Sequence, residues 1–153
     1  MATQVVFDDI VRFLRQNEWE FGIGSNQTIS LSLEGVNGVY SVYIFYPWEK
    51  EIILVYAEYP FRIPETKREE FLELVSRINW GLLFTACEYN PESGKVRFRG
   101  NMLTDNAHFY TEQFATLLAT VWTTIDRYAP AFLSVLKGKR TVKEALSLVE
   151  NPG

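Results

Sequence analysis

The chain of 153 residues has one cysteine, one histidine, no excess of basic charge and no long apolar run. A lone Cys87 excludes an internal disulfide and any thiolate cluster for zinc or iron–sulfur. It fits a reducing, cytoplasmic setting. A lone His108 supplies neither a set of zinc ligands nor a base with a recognisable nucleophile beside it. Cys87 reads as a small strand hydrophobe and His108 as a residue at the start of the last long helix. Lys and Arg number 15 against 19 Asp and Glu, a net charge of −4, so a phosphate-tracking, nucleic-acid-binding protein is not expected. No stretch approaches the ~18 apolar residues of a membrane span. Met1 to Gln16 carries Asp8 and Asp9 inside an amphipathic pattern, so no secretory leader is expected either.

Aromatic residues, in contrast, are plentiful: eleven Phe, eight Tyr and four Trp. A chain of this length buries roughly 70% of the surface it exposes when unfolded and needs no staples. One domain over residues 1–153 is expected, because no linker, repeat or low-complexity run divides the chain.

Phe7, Ile10, Val11 and Leu14 at helical spacing predict a helix over about 4–16, and Gly22 and Gly24 a loop after it. Ile29, Leu31 and Leu33 alternate with polar residues as in a half-buried strand. Asn37-Gly38 is a hairpin signal, with residues 39–46 as the return strand. Beyond the polar corner Trp48-Glu49-Lys50-Glu51, residues 52–57 make the third strand of a meander. Pro64 opens a helix whose apolar stripe is Phe71, Leu74, Val75 and Ile78, and Gly81 ends it. Residues 82–89 and 95–102 predict a second hairpin. Phe114, Leu117, Leu118, Val121 and Ile125 predict a third helix, which Pro130 is expected to break or kink. Gly138 reads as a cap, and Thr141 to Glu144 as a capping box opening a short terminal helix. The fold class is therefore α+β: a five-stranded antiparallel sheet with helices on one face, in the order α-β-β-β-α-β-β-α(α).

No catalytic, cofactor or metal site is written in this pattern. Gly22-Ile23-Gly24 lacks the following helix that a dinucleotide loop needs. Asn26-Gln27-Thr28 is a chance sequon. Asp8 with Asp9 and Glu49 with Glu51 read as solvated charge, as do Lys95, Arg97, Arg99 and the cluster Lys137, Lys139, Arg140, Lys143. A two-residue turn at Asn37-Gly38 places Ser32 opposite Tyr43 and Ser30 opposite Phe45 on the face away from the core. Any even-length corner then adds Leu54 and Tyr56, with Ile52 beside them, to that outer face. Four such side chains make a patch of several hundred Å², about the limit for a free monomer. Tyr43, Phe45, Leu54 and Tyr56 are thus a candidate protein-contact face, to be covered by the C-terminal segment, a second copy or a bound protein. A small-molecule pocket lined by Trp80, Trp122 and Tyr128 is the alternative.

Several short runs together resemble the YbjN-type domain family, described as bacterial sensory-transduction regulators. They are Leu33-Glu34-Gly35 with Asn37-Gly38, Tyr59-Pro60, Ile63-Pro64-Glu65 and Arg77-Ile78-Asn79. Lys95-Val96-Arg97-Phe98-Arg99 and Thr124 to Pro130 continue the likeness, which spans about 5–137. It implies a fold like that of type III secretion chaperones and a non-enzymatic role in protein binding or regulation. It carries over no functional residue. The residues after about 140 have no counterpart in it.

Overall fold

The computed structural model describes residues 2–47 and 50–150; Trp48 and Glu49 of the expected polar corner lie outside them. Helix α1 (Ala2–Gln16) buries Phe7, Ile10, Val11 and Leu14, the stripe its spacing predicts, and Val6 beside them. It closes on Glu18, a left-handed residue at φ 58°. The N–H of Trp19 reaches the Leu14 carbonyl at 2.9 Å, and that of Glu18 the Arg15 carbonyl at 3.1 Å.

Strands β1 (Gly22–Ile23), β2 (Ile29–Glu34), β3 (Val39–Phe45) and β4 (Ile52–Glu58) follow. Then come helix α2 (Arg68–Gly81), strands β5 (Ala86–Asn90) and β6 (Lys95–Leu103), and helices α3 (Thr111–Leu136) and α4 (Val142–Glu150). The strands form one antiparallel sheet in the order β1-β2-β3-β4-β6-β5. It has six strands rather than five. The addition is β1, where Gly22 pairs with Ser30 and Ile23 with Ile29. Two residues that pair through the main chain leave no alternation in the sequence, so the segment reads as a loop.

The β2–β3 hairpin differs from expectation in register but not in facing. The pairs are Ile29↔Ile44, Leu31↔Val42 and Glu34↔Val39, so four residues, Gly35 to Gly38, make the loop. The shift from a two-residue turn is two positions, and an even shift keeps every side chain on its face. Ser30 therefore lies across from Tyr43 rather than Phe45.

Strand β5 begins at Ala86, four residues later than the apolar run from Leu82 suggests. The amide of Asn79, in the last turn of α2, donates to the Cys87 carbonyl and accepts the Cys87 N–H, both at 2.8 Å. With Cys87 tied there, Leu82 to Thr85 must reverse the chain and cannot pair. Pro130, in turn, does not break α3, which runs through it as one helix.

The inward residues of the strands and the stripes of the helices form one core, from Ile29, Val42, Val55 and Phe98 to Phe71, Phe114, Ile125 and Phe132. Fully burying a side chain of this size is worth about 1.5–3 kcal/mol. Helix α4 packs on α3 and α2 through Val142, Ala145 and Leu146. It joins the helical layer and leaves the other face of the sheet alone.

Candidate protein-contact surface

The outer face can be read row by row from the register. Phe45 lies across from Leu54, and Leu54 from Asn101; Ile52 lies across from Leu103. The next row is Tyr43, Tyr56, Arg99 and Ala86, and the one beyond it Ser41, Glu58, Arg97 and Glu88. One end of the face is thus apolar and the other charged, with the two tyrosines between. Tyr43, Phe45, Leu54 and Tyr56 are brought together as half-buried neighbours on two paired strands.

The charged end is internally matched. Glu88 accepts from Arg97 Nε at 2.8 Å and from Arg99 Nε at 3.2 Å, and the Arg97 guanidinium lies 4.2 Å from the centre of the Tyr56 ring. On the basic strand face, Arg97 and Arg99 therefore share one carboxylate. Lys137, Lys139, Arg140 and Lys143 are exposed.

Two residues that the sequence reading leaves out extend the apolar end. Leu103 is 74% exposed and Phe84 53%. Leu103 was signalled by its parity with Arg97 and Arg99, one step past the expected end of the strand. Phe84 gave no signal, since its run reads as strand interior. Phe84, Met102, Leu103 and Tyr110, with Glu112 and Gln113 from the first turn of α3, line a groove of 690 Å³.

Trp80, Trp122 and Tyr128 do not share a pocket. Trp80 is 93% exposed at the end of α2. Trp122 meets Trp19 edge-on at 5.9 Å. Tyr128 stacks on Phe98 in the core and donates to Glu150 Oε2 at 2.9 Å.

Burial, and secondarily the charge of Glu88, pushes the Cys87 thiol well above its ordinary range. Its sulfur is inert as it stands. His108 lies exposed in the loop before α3, edge-on to Tyr110 at 4.4 Å. Among the described residues no group of His, Cys, Asp and Glu is arranged to hold a metal ion. No helix among them is long and apolar enough to cross a membrane.

A third feature ties the helical layer to the sheet. The Asp126 carboxylate on α3 accepts the N–H groups of Val36 at 3.0 Å and Asn37 at 2.8 Å, and the Tyr40 hydroxyl at 2.6 Å. A family model described as "Putative bacterial sensory transduction regulator", YbjN, matches residues 7–134. The chain belongs to the YbjN family. The match takes in both the 33–38 turn and the Asp126 segment that holds it, and it stops short of α4.

No curated protein matches the chain. Solved structures share its fold. A crystal structure of YbjN from E. coli aligns with a TM-score of 0.61 at 17% identity, covering 78% of this chain and 84% of that one. The ExsC–ExsE complex aligns at 0.63 and 17%, covering 83% and 92%. The HopA1–SchA chaperone–effector complex aligns at 0.52 and 12%, covering 80% and 92%. The expected chaperone-like α+β fold is therefore the fold of this YbjN-family chain.

Proposed function

We propose that this chain is a non-enzymatic, cytoplasmic binding domain that holds another protein on the outer face of its sheet, in a regulatory or chaperone-like role. The observation that carries this reading is the apolar end of that face. Phe45, Leu54, Ile52 and Leu103 lie side by side, and α4, the segment that could have covered them, packs on the helices instead. Contiguous apolar surface of this kind marks interaction sites. Two of the solved neighbours are recorded as complexes, one of them a chaperone with its effector, which supports a protein as the occupant. A buried thiol and a solitary histidine support a role without catalysis.

The double variant Tyr43→Ser with Phe45→Ser tests the reading. Affinity purification from native lysate with mass spectrometry should recover a partner with the wild type and lose it with the variant, at matched melting temperature. Recovery of the same proteins by both would sink the assignment of this face. Light scattering completes the test: a dimer that the double variant turns into a monomer would make a second copy the occupant.

A further inference from the structure

Strand β6 outruns β5. Their ladder ends at Ala86↔Arg99, whereas β6 continues against β4 as far as Ile52↔Leu103. The alternation of an antiparallel ladder fixes where the spare polar groups point. Asn79 occupies both main-chain groups of Cys87 from the α2 side, so Cys87↔Phe98 is a pair without mutual bonds and Ala86↔Arg99 a bonded one. Stepping by two along β6, the N–H and C=O of Asn101 and Leu103 face the side that β5 has vacated. Phe84, next in line, lies in a bend and makes no main-chain bond to Asn101 among the described residues.

These four groups open onto the groove bounded by Phe84, Met102 and Tyr110. Glu112 is the one charged side chain in its lining and forms no ion pair among the described residues. We propose that this edge receives an extended peptide from a partner protein, which adds to the sheet as a strand beside Asn101 and Leu103 and sets a lysine or arginine against Glu112. The inference deepens the protein-binding reading above and rests on it.

The main chain decides the shape of the occupant. Donors and acceptors that recur every second residue, about 6.7 Å apart, match another strand and not a helix, whose groups are already bonded internally. An added strand would turn alternate side chains toward Asn101 and Leu103 on the outer face and toward the groove wall on the other. Charge decides against a second copy. Two β6 edges pairing with each other would bring two Glu112 carboxylates into one groove, and like charges there repel.

The probe is a fluorescein-labelled octapeptide alternating valine and threonine with one central lysine, titrated into the full chain by anisotropy and followed by amide chemical shifts. Saturable binding is expected, with the largest shifts at the Asn101 and Leu103 amides. The same peptide N-methylated at alternate residues should bind at least tenfold more weakly, a control that leaves the protein's own fold untouched. Glu112→Lys should weaken the lysine peptide at least fivefold and favour its glutamate counterpart. Leu103→Pro, which removes an edge N–H without touching the β4 ladder, should abolish binding. Affinity that survives N-methylation, or shifts confined to other strands, would overturn the proposal. So would a concentration-dependent dimer that Leu103→Pro dissolves. Against native lysate, a partner lost by Tyr43→Ser/Phe45→Ser but kept by Leu103→Pro overturns this edge alone. A wild type that retains no partner overturns the protein-binding reading itself.

Discussion

The side-chain amide of Asn37 donates to the main-chain carbonyl of Asp126 at 2.9 Å, the acceptor that Pro130 leaves without a donor. Residue 130 is four positions after 126, so a helix would normally close that bond with its N–H, which proline lacks. The β2–β3 loop supplies the missing donor. In return the Asp126 carboxylate takes two N–H groups of the same loop and the Tyr40 hydroxyl. The helix defect and the hairpin turn thus satisfy each other.

Removing the carboxylate should therefore loosen the turn rather than the helix. Asp126→Ala strips acceptors from three donors, and bonds to a charged group are worth about 1.5–3 kcal/mol each, less when partly exposed and shared. We expect a loss of about 2–3 kcal/mol in urea unfolding, with faster amide exchange at Val36 and Asn37. Unchanged exchange at those two amides would show that the carboxylate does not hold the loop.

Gly35 gives an independent check on the same contact. A Cβ at this position would run into the Asp126 carboxyl carbon, and the backbone there is not left-handed. The glycine is needed for space alone. Gly35→Ala should therefore destabilise the wild type by about 1–3 kcal/mol through overpacking. In the Asp126→Ala background it should cost markedly less, a coupling that a double-mutant cycle reads directly. Additive losses would mean that the steric account is wrong.

These two contacts also mark what the sequence could and could not convey. The facing of Ile29, Leu31 and Leu33 was legible because parity survives any even shift of register, and so was the outer position of Tyr43, Phe45, Leu54 and Tyr56. The loop length was not legible, since Asn37-Gly38 looks the same inside a two- or a four-residue turn. Pro130 read as a break because the donor that rescues it lies about ninety positions away, in Asn37. Leu82 to Thr85 read as strand because apolar residues do, and only the Asn79–Cys87 contact denies them a partner. The apolar end of the outer face was half legible. Its β3 and β4 members alternate cleanly, while Phe84 reaches it from a bend that no periodicity announces.

Alkali should unfold the protein earlier than its exposed charges suggest. Burial, then the bond to Glu150, pushes Tyr128 up to about 12, and burial first of all raises Tyr59 as well. The unfolded chain ionises these phenols near pH 10. Their contribution is therefore complete below that value and is lost as pH climbs from about 10 toward 12. Urea midpoints should fall steeply across that window, and less so in Tyr128→Phe. A flat profile would contradict the burial of these hydroxyls.

The Cys87 thiol should report opening of the β5 edge. It is 3% exposed and its ionisation is suppressed by burial, so a thiol reagent such as DTNB should react with native protein far more slowly than with unfolded chain. Asn79→Ala frees both main-chain groups of Cys87 and should raise the rate at least tenfold. A native rate equal to that of free cysteine would reopen a chemical role for this residue.

Helix α4 lies beyond the family match and should respond to acid on its own. The Thr141 N–H donates to Glu144 Oε1 at 3.0 Å and the Glu144 N–H to Thr141 Oγ1 at 3.2 Å, a reciprocal capping box. Those bonds, the main-chain one foremost, hold the Glu144 carboxyl below its ordinary value of 4.5. A carboxylate whose folded value is lowered stabilises above the unfolded value and stops doing so as pH falls through the folded one. Fraying of α4 should accordingly begin below about pH 4.5, visible as loss of amide protection over Val142–Glu150 before the sheet yields. Glu144→Gln should remove that acid step while leaving the buried contacts of Val142, Ala145 and Leu146 in place. Leu146→Ala, by contrast, should cost about 2–3 kcal/mol at every pH, because it acts through packing on α3 and not through charge. Identical pH profiles for the two variants would show that the box does not anchor the helix.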